Sequence, residues 1–157
     1  MAGELIIRKA NIGDLEGLVT IEKACFDTPW SRESLAHDLD ANPLAMLLCA
    51  EIDGKIAGYI DVWIIQEEGH INNVAVLPEF HRMHIATILI HTMIRVTEAK
   101  GVLSHTLEVA RGNQAAISLY EKFGFQKTGE RPHYYENGED ALIMWRLGDP
   151  SVHEEES

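Results

Sequence analysis

The order of elements in the sequence predicts a mixed α/β (α+β) fold, with about seven strands in a mostly antiparallel sheet, two neighbouring parallel strands and about four helices. Two turn signals, Asp53-Gly54 and Asn137-Gly138, each join apolar runs in the way hairpin turns do. Between them the pattern alternates strand, helix, strand and helix, which implies a right-handed crossover and one parallel pair. The chain has 157 residues and 46% hydrophobic content, enough for one core, so we expect a single domain over 1–147.

The first part of the chain reads as a strand followed by two helices. Leu5-Ile6-Ile7-Arg8 is the strand, and Asp14 is expected to cap a helix whose apolar positions recur at helical spacing. Ser31 offers an N-cap for a second helix, which should end before Pro43.

The middle of the chain predicts a three-stranded antiparallel meander and a long helix. Strands are expected over 44–52 and 55–66, with Glu67-Glu68-Gly69 turning the chain into a third strand that ends at Pro78. The helix should run from about Ile85 to Lys100, with Gly101 as its stop.

The last part predicts a strand, a helix and a closing hairpin. A strand over 103–109 is followed by Asn113, which precedes a helix that ends at Gly124. The hairpin strands are expected over 125–135 and 140–147, and the acidic segment 148–157 is expected to be a disordered tail.

Composition argues against several classes of function. A formal net charge of −12 repels phosphate backbones and disfavours direct nucleic-acid binding. No apolar run is long enough to span a membrane and the N-terminus lacks an export signal, so we expect a cytoplasmic protein with no membrane partner. Cys25 and Cys49 lack metal or redox spacing and are expected to be reduced core thiols, with a catalytic cysteine as the minor alternative.

The stretch from His70 through Leu77 into the helix at Ile85 has the features of an anion site. A β-branched run is broken by Pro78 and passes through a short basic segment into a helix start, where free N–H groups and the helix dipole converge. The alternative is a plain strand-to-helix corner. The histidines of this segment (His81, His84 and His91) do not converge at any spacing that suits a metal, so no metal is expected.

Several motifs, taken in order, resemble the GNAT acetyltransferases. The resemblance covers residues 5–147, and it is carried by Asn73-Val74-Ala75-Val76, by the basic turn, by Leu107-Glu108-Val109, by Asn113 and by Leu119-Tyr120-Glu121-Lys122-Phe123-Gly124-Phe125. Within the superfamily, Thr28-Pro29-Trp30-Ser31, Arg131-Pro132-His133-Tyr134-Tyr135 and Gly138-Glu139-Asp140-Ala141 resemble the ribosomal-protein alanine N-acetyltransferase branch called RimI.

The resemblance implies acetyl-CoA as cosubstrate, lying between two splayed parallel strands. Its pantetheine would pair with the backbone of Val74, Ala75 and Val76, and its pyrophosphate would sit on the turn formed by Arg82, Met83, His84, Ile85, Ala86 and Thr87. His84 stands where the family usually has glycine. We expect either ordinary helical dihedrals at His84 or reduced affinity, because a Cβ must still let the backbone approach phosphate.

The resemblance also implies roles for three polar residues. Glu108 would be the general base, Tyr120 would protonate the departing sulfur and Asn113 would contact CoA. Without the family, Glu108 reads equally well as a solvated strand-end carboxylate and Tyr120 as a core tyrosine, while Asn113 can also serve as an N-cap. The family arginine after the base is displaced by one position to Arg111, so its role on CoA is in doubt.

Aromatic residues of two loops are candidates for the acceptor site. We expect Trp30 and Tyr134 to contact substrate, whereas Phe26 fits core packing better. The resulting hypothesis is an N-terminal acetyltransferase that acts by direct attack on the N-terminal alanine of ribosomal protein S18. The alternatives are an enzyme acting on small amines or lysine side chains, and a non-catalytic acetyl-CoA-binding module.

Overall fold

The computed structural model describes residues 4–148. The predicted acidic tail lies outside the described residues except for Gly148, whose N–H donates to Leu103 O at 2.8 Å. No helix within the described range is long and apolar enough to cross a membrane.

Seven strands and four α-helices make up the described chain. The strands are β1 (Leu5–Lys9), β2 (Ala45–Ile52), β3 (Lys55–Ile65), β4 (Glu68–Val76), β5 (Ser104–Ala110), β6 (Gln126–Arg131) and β7 (Ala141–Leu147). The helices are α1 (Leu15–Cys25), α2 (Arg32–Asp40), α3 (Ile85–Ala99) and α4 (Gln114–Lys122). Short 3-10 helices at Ile12–Asp14 and Pro78–Met83 precede α1 and α3.

The strands form one sheet in the order β1-β2-β3-β4-β5-β7-β6. The parallel pair joins Glu68–Ile71 of β4 to Ser104–Leu107 of β5, while β1 with β2, β2 with β3, β5 with β7 and β6 with β7 are antiparallel. The predicted fold class is therefore confirmed, including the parallel pair that the strand-helix-strand order required.

The chain divides into two compact units. The first contains the described residues up to Trp63 together with Asn72–Val96, and the second contains Ile64–Ile71 together with the described residues from Thr97 onward. Fully buried side chains of the first unit include Leu18, Ile21, Leu35 and Tyr59. The second unit buries Leu107, Val109, Phe125, Ala141 and Met144.

Local turn and cap signals formed largely as predicted. Asp53 and Gly54 both have positive φ (51° and 80°), as a type I′ hairpin turn requires. Ser31 caps α2 by accepting from Ser34 N at 3.1 Å. Gly101 and Gly124 follow α3 and α4 with positive φ, where an added side chain would be strained.

Gly58 lies on β3 where β4 passes very close. A Cβ added there would come within 2.9 Å of Ala75 O and 3.0 Å of a Val76 methyl carbon. Only glycine allows the two backbones to approach this closely.

The predicted helix cap at Asp14 is wrong. Asp14 makes no side-chain cap bond to α1. Its carboxylate instead accepts from Asn11 N at 2.8 Å and from the Arg8 guanidinium at 2.8 and 2.9 Å. Asn11 is the residue that caps, at the 3-10 helix before α1, so a bidentate arginine pair took the carboxylate that the local pattern gave to the helix.

Two strand limits also differ from expectation. Glu68 and Gly69 already belong to β4, and the turn is made around Gln66, which has a φ of 55°. The closing hairpin does turn at Asn137-Gly138, where Gly138 N donates to Tyr135 O at 2.8 Å. However, its strands end at Arg131 and resume at Ala141, because a long loop between them bonds to itself, as when His133 N donates to Asp140 Oδ1 at 2.9 Å.

Candidate active site

The C-terminal half of β4 carries the residues predicted to meet pantetheine. Leu77 N donates to Ala57 O at 2.8 Å, so the backbone groups of alternate residues, Ala75 among them, point toward β3. Those of Val74 and Val76 point the other way. The carbonyl of Val76 already accepts from Cys25 Sγ at 3.3 Å and lies 2.9 Å from His81 Nε2. The pairing of pantetheine with this backbone stays a prediction.

The predicted pyrophosphate turn is the junction between the 3-10 helix and α3. Helix α3 begins at Ile85 as expected, and Ile88 N donates to His84 O at 3.1 Å. The N–H groups of Ile85, Ala86 and Thr87 are therefore in the first turn, where an α-helix offers its donors no intrahelical acceptor. This is the arrangement in which helix N-termini bind anions.

His84 has a left-handed backbone conformation, with φ 57° and ψ 30°. Of the two alternatives expected for this position, ordinary helical dihedrals are excluded, and reduced affinity for the phosphate stays a prediction. The left-handed region is one that glycine adopts without strain and histidine adopts at some cost in conformational energy.

The charges at this turn favour an anion. Glu79 is the acid that precedes α3, and its carboxylate is paired with Lys55 Nζ at 3.0 Å. Arg82 and His84 are exposed on the same short segment. A phosphate group approaching the turn would therefore meet a cationic side chain and a neutralised carboxylate.

Glu108 lies near the end of β5 in the second unit. Its side chain is 29% exposed, and its Oε1 is 3.2 Å from Arg131 Nε. Its other oxygen, Oε2, is buried and has no hydrogen-bond partner among residues 4–148. The carboxylate also raises the pKa of Tyr134, chiefly because it favours the protonated phenol as a hydrogen-bond donor. A carboxylate with an unused buried lone pair is equipped to accept a proton.

Tyr120 lies on α4 of the same unit. Its ring is half-buried and packs edge-on against Phe125, with centroids 5.7 Å apart. Burial, with a smaller contribution from Tyr135, raises the pKa of Tyr120 to about 12. The phenol is therefore protonated at neutral pH and can act as a proton donor. The contact with Phe125 is also expected of a core tyrosine, so a packing role and a proton-donor role are compatible.

Asn113 caps α4, with Oδ1 accepting from Ala116 N at 3.2 Å. Its predicted contact with CoA stays a prediction. The displaced Arg111 pairs with Glu130, lies 4.0 Å from Asp140, and donates its backbone N–H to Asp140 O at 3.0 Å. Arg111 thus contacts residues of the β6–β7 hairpin and its loop.

The predicted acceptor aromatics differ in their surroundings. Phe26 is 37% exposed, so its assignment to the core is wrong; it follows α1 in extended backbone. Trp30 is half-buried against the first unit's core. Tyr134 is 51% exposed and meets Tyr135 edge-on with centroids 5.0 Å apart. The contacts of Trp30 and Tyr134 with substrate stay predictions.

A buried polar network around Glu22 was missed from the sequence. Glu22 is 1% exposed, and its carboxylate accepts from Trp30 N at 2.7 Å, from Tyr59 OH at 2.8 Å and from Asn73 Nδ2 at 2.6 Å. It therefore joins the Trp30 loop to β3 and to β4. The sequence signal for this network is a glutamate on the apolar stripe of α1, next to Ile21, which is fully buried in the structure.

A second buried acid, Asp61, was also missed. It is fully buried on β3 between Tyr59 and Trp63, and burial together with the neighbouring Asp38 raises its pKa to about 9. Asp38 is the charged partner, since it accepts from Asn42 Nδ2 and Trp63 Nε1, each at 3.0 Å. At neutral pH Asp61 is therefore a neutral acid that can donate to the Asp38 carboxylate.

The surroundings of the two cysteines do not favour a reactive thiolate. Cys49 is buried and Cys25 is half-buried, and both are free thiols, as expected. Burial raises the pKa of each thiol, that of Cys49 to about 11, which disfavours a reactive thiolate. Over residues 4–148, no three side chains group in a way that would hold a metal ion.

Comparisons with known proteins identify the family of this chain. The Acetyltransferase (GNAT) family profile matches residues 15–125. A Bacillus subtilis (strain 168) relative, assigned provisionally as a [ribosomal protein bS18]-alanine N-acetyltransferase, is 37% identical over 92% of this chain and 97% of its own. The [ribosomal protein bS18]-alanine N-acetyltransferase of Escherichia coli (strain K12) is 33% identical over 83% of this chain and 89% of its own.

A solved structure gives the same result in three dimensions. The ribosomal-protein-S18-alanine N-acetyltransferase from Escherichia coli superposes with a TM-score of 0.86 at 30% identity, covering 92% of this chain and 94% of that one. The family profile covers well over half of the chain, and relatives above 30% identity cover more than two thirds of it. The chain therefore belongs to the acetyltransferase (GNAT) family and is an N-acetyltransferase.

Proposed function

We propose that this enzyme transfers the acetyl group of acetyl-CoA to a protein N-terminal α-amine, with the N-terminal alanine of ribosomal protein S18 as its substrate. Support for the substrate comes from the relatives described above, which carry that activity in their names. The observation that carries the chemistry is the Glu108 carboxylate, whose side chain is 29% exposed and whose Oε2 is buried without a hydrogen-bond partner among the described residues.

The proposed reaction is direct attack of the amine on the thioester. A nitrogen–carbon bond forms and the carbon–sulfur bond breaks. Glu108 takes the proton that the amine loses, through a water molecule, and Tyr120 gives its phenolic proton to the departing thiolate. A pKa of about 12 for Tyr120 keeps that proton available throughout the neutral range.

The first unit would bind the nucleotide end of acetyl-CoA. The α3 N-terminus presents the N–H groups of Ile85, Ala86 and Thr87, with Arg82, Met83 and His84 leading into it. A diphosphate needs several donors and no free carboxylate, and both conditions hold here because Glu79 is paired with Lys55. Val74, Ala75 and Val76 would line the pantetheine, and Asn113 of the second unit is a further candidate contact.

The acceptor would be an α-amine rather than a lysine. A terminal α-amine has a pKa near 8 and a lysine near 10.4, so deprotonating the α-amine at neutral pH costs roughly 3 kcal/mol less. One carboxylate base suffices for that. Trp30 and Tyr134 are the proposed contacts for the first residues of the peptide, and the net charge of −12 favours a peptide that carries basic residues.

The proposal is tested by acetylation of defined acceptors. The purified enzyme is incubated with acetyl-CoA and three substrates: a peptide with the N-terminal sequence of S18, the same peptide with a blocked N-terminus and an internal lysine, and a polyamine. Mass spectrometry locates the acetyl group. We expect acetylation of the α-amine of the first peptide alone.

The same experiment can contradict the proposal in two ways. Rapid modification of the polyamine or the lysine, with none at the α-amine, would identify a different acceptor class. Binding of acetyl-CoA without modification of any acceptor would identify a regulatory module rather than an enzyme acting on these substrates.

A further inference from the structure

The guanidinium group of Arg131 forms an ion pair with Glu108, the proposed base. Arg131 Nε lies 3.2 Å from Glu108 Oε1, while Glu108 Oε2 is buried and unpaired in the described part of the chain. The pair is therefore made through one oxygen and does not use the bidentate geometry that makes arginine–carboxylate pairs strong. An arginine in this position occupies the lone pair that a substrate ammonium would seek.

The surroundings of Arg131 make this pair easy to open. The arginine side chain is 57% exposed, so water screens the pair and can solvate the guanidinium once it leaves. Arg131 also has a second favourable contact, because its guanidinium carbon lies 5.9 Å from the ring centroid of Tyr134. Its backbone is held at the end of β6 by pairing with Ala141, so only the side chain needs to move.

Chemistry explains why the arginine must leave before reaction. A guanidinium does not lose a proton in proteins, whereas an alkylammonium with a pKa near 8 does. While Arg131 holds Oε1, the base has a cation beside it that cannot react. When an acceptor's ammonium replaces it, the same carboxylate has beside it a cation whose proton it can take through the water molecule of the proposed reaction.

We propose that Arg131 is a specificity-determining residue: its guanidinium occupies Glu108 in the free enzyme, and the acceptor's α-ammonium displaces it on binding. This inference rests on the proposed function and names a further residue of that site. It follows that only acceptors with a cationic amine in the right place open the base. Acceptor affinity is lowered by the competition, and the chemical step, which takes place after displacement, is not.

The test compares Arg131→Gln and Arg131→Lys with the wild type. We expect R131Q to lower the KM for the S18 peptide about two- to fivefold, the range for an exposed ion pair, with kcat and the KM for acetyl-CoA within about twofold of wild type. R131K keeps a cation and should resemble the wild type. The matched control is R111Q, which removes an equally exposed arginine that pairs with Glu130 and should leave the peptide KM unchanged.

A binding measurement isolates the ammonium itself. Calorimetry is done with enzyme saturated with CoA, which permits no turnover, and with two ligands: the alanine peptide and an analogue in which a propionyl group replaces the alanine, so that only the amine is missing. We expect R131Q to tighten binding of the alanine peptide two- to fivefold and to leave the propionyl analogue unchanged. Equal changes for both ligands would overturn the inference.

The outcomes separate this inference from the proposed function. If the wild type acetylates no peptide, the proposed function fails and the inference fails with it. If the wild type acetylates the peptide but R131Q raises the peptide KM or lowers kcat more than about tenfold, the enzyme activity stands and Arg131 supports the base instead of competing for it. An unchanged peptide KM in R131Q also overturns the inference.

Discussion

Glu22 and Glu108 are both glutamates held within the folded chain, and their surroundings differ in one decisive respect. Glu22 is 1% exposed and accepts from three donors, with both oxygens used. Glu108 is 29% exposed, shares one oxygen with an exposed arginine and has the other buried and unpaired. The more buried carboxylate is the better satisfied one.

We propose that this difference separates a structural carboxylate, Glu22, from the proposed base, Glu108. A buried charge is tolerated when hydrogen bonds replace its lost hydration, and Glu22 meets that condition with donors from three parts of the first unit. Glu108 meets it only in part, because its Oε2 is buried without a hydrogen-bond partner among the described residues. The proposed base is thus the carboxylate that the fold stabilises less well.

Asp61 is a third acid within the fold, and it avoids an uncompensated buried charge by staying protonated. No hydrogen bond to its oxygens compensates its burial, and its pKa is raised to about 9. It therefore stays protonated, and its neighbour Asp38 keeps the charge with two donors from Asn42 and Trp63. Asp61 and Asp38 show that hydrogen-bond donors, as well as depth of burial, decide which of two neighbouring acids carries the charge.

Removing the reactive carboxylate should have the largest effect. We expect Glu108→Gln to lower kcat by about 10²- to 10⁴-fold, the range for loss of a general base. The free energy of unfolding should stay within about 0.5 kcal/mol of the wild-type value. Steady-state kinetics at several pH values and a thermal melt measure both quantities. Full activity of E108Q across that pH range would show that another group is the base.

Removing the satisfied carboxylate should do the reverse. Glu22→Ala leaves the Trp30 N–H, the Tyr59 hydroxyl and the Asn73 amide without their acceptor, so we expect a loss of about 2–4 kcal/mol of unfolding free energy by denaturant titration. The folded fraction should keep its kcat within about tenfold. Exposed Glu33→Ala is the control and should cost less than about 0.5 kcal/mol. If E22A unfolds like the wild type, the comparison fails.

Replacing Asp61 by a residue that cannot ionise should change the pH dependence of stability. Because folding raises the pKa of Asp61 to about 9, Asp61 contributes to the free energy of unfolding. This contribution is fully present below the pKa of the unfolded state and is lost as pH rises toward the pKa of the folded state. Asp61→Asn removes this loss and keeps a donor for Asp38. From about pH 5 to about pH 8, D61N should gain on the wild type by about 1 kcal/mol per pH unit, measured by urea unfolding.

The folded pKa of Asp38 is lowered by hydrogen bonds despite burial. Its contribution is lost only as pH falls through the acidic range, so it does not cancel the effect of Asp61. Parallel stability curves for D61N and the wild type over the whole range would show that Asp61 is ionised in the folded protein.

The smallest of these effects is expected at Tyr120, the proposed proton donor. Tyr120→Phe should lower kcat about tenfold, less than E108Q, because a thiolate leaves more readily than an amine and needs less help from an acid. The high-pH limb of the kcat profile should also change, since the Tyr120 pKa of about 12 no longer contributes. A kcat equal to the wild type would assign Tyr120 to packing against Phe125 alone.

The sequence alone determined the parts of the fold that depend on near neighbours. The hairpin at Asp53-Gly54, the caps at Ser31 and Asn113, and the glycines after α3 and α4 all formed as predicted, because turns and caps are decided within a few residues. The alternation of strands and helices then constrained the sheet to one parallel pair. Motifs in their order indicated the family and the candidate base and acid.

The tertiary structure decided the charge, exposure and conformation of particular side chains. Asp14 pairs with Arg8 instead of capping a helix, Phe26 is exposed, and His84 has a left-handed backbone conformation. Each outcome depends on a contact or backbone path set by the surrounding fold, which neither periodicity nor propensity records.

The difference between Glu22 and Glu108 is the clearest example of that division. In the sequence both are glutamates next to apolar residues. Donors from Tyr59 and Asn73, distant along the chain, satisfy the first, whereas Arg131 meets the second through one oxygen only. The donors brought to a carboxylate by folding determine its solvation, and for that reason only the tertiary structure separates the structural acid from the proposed base.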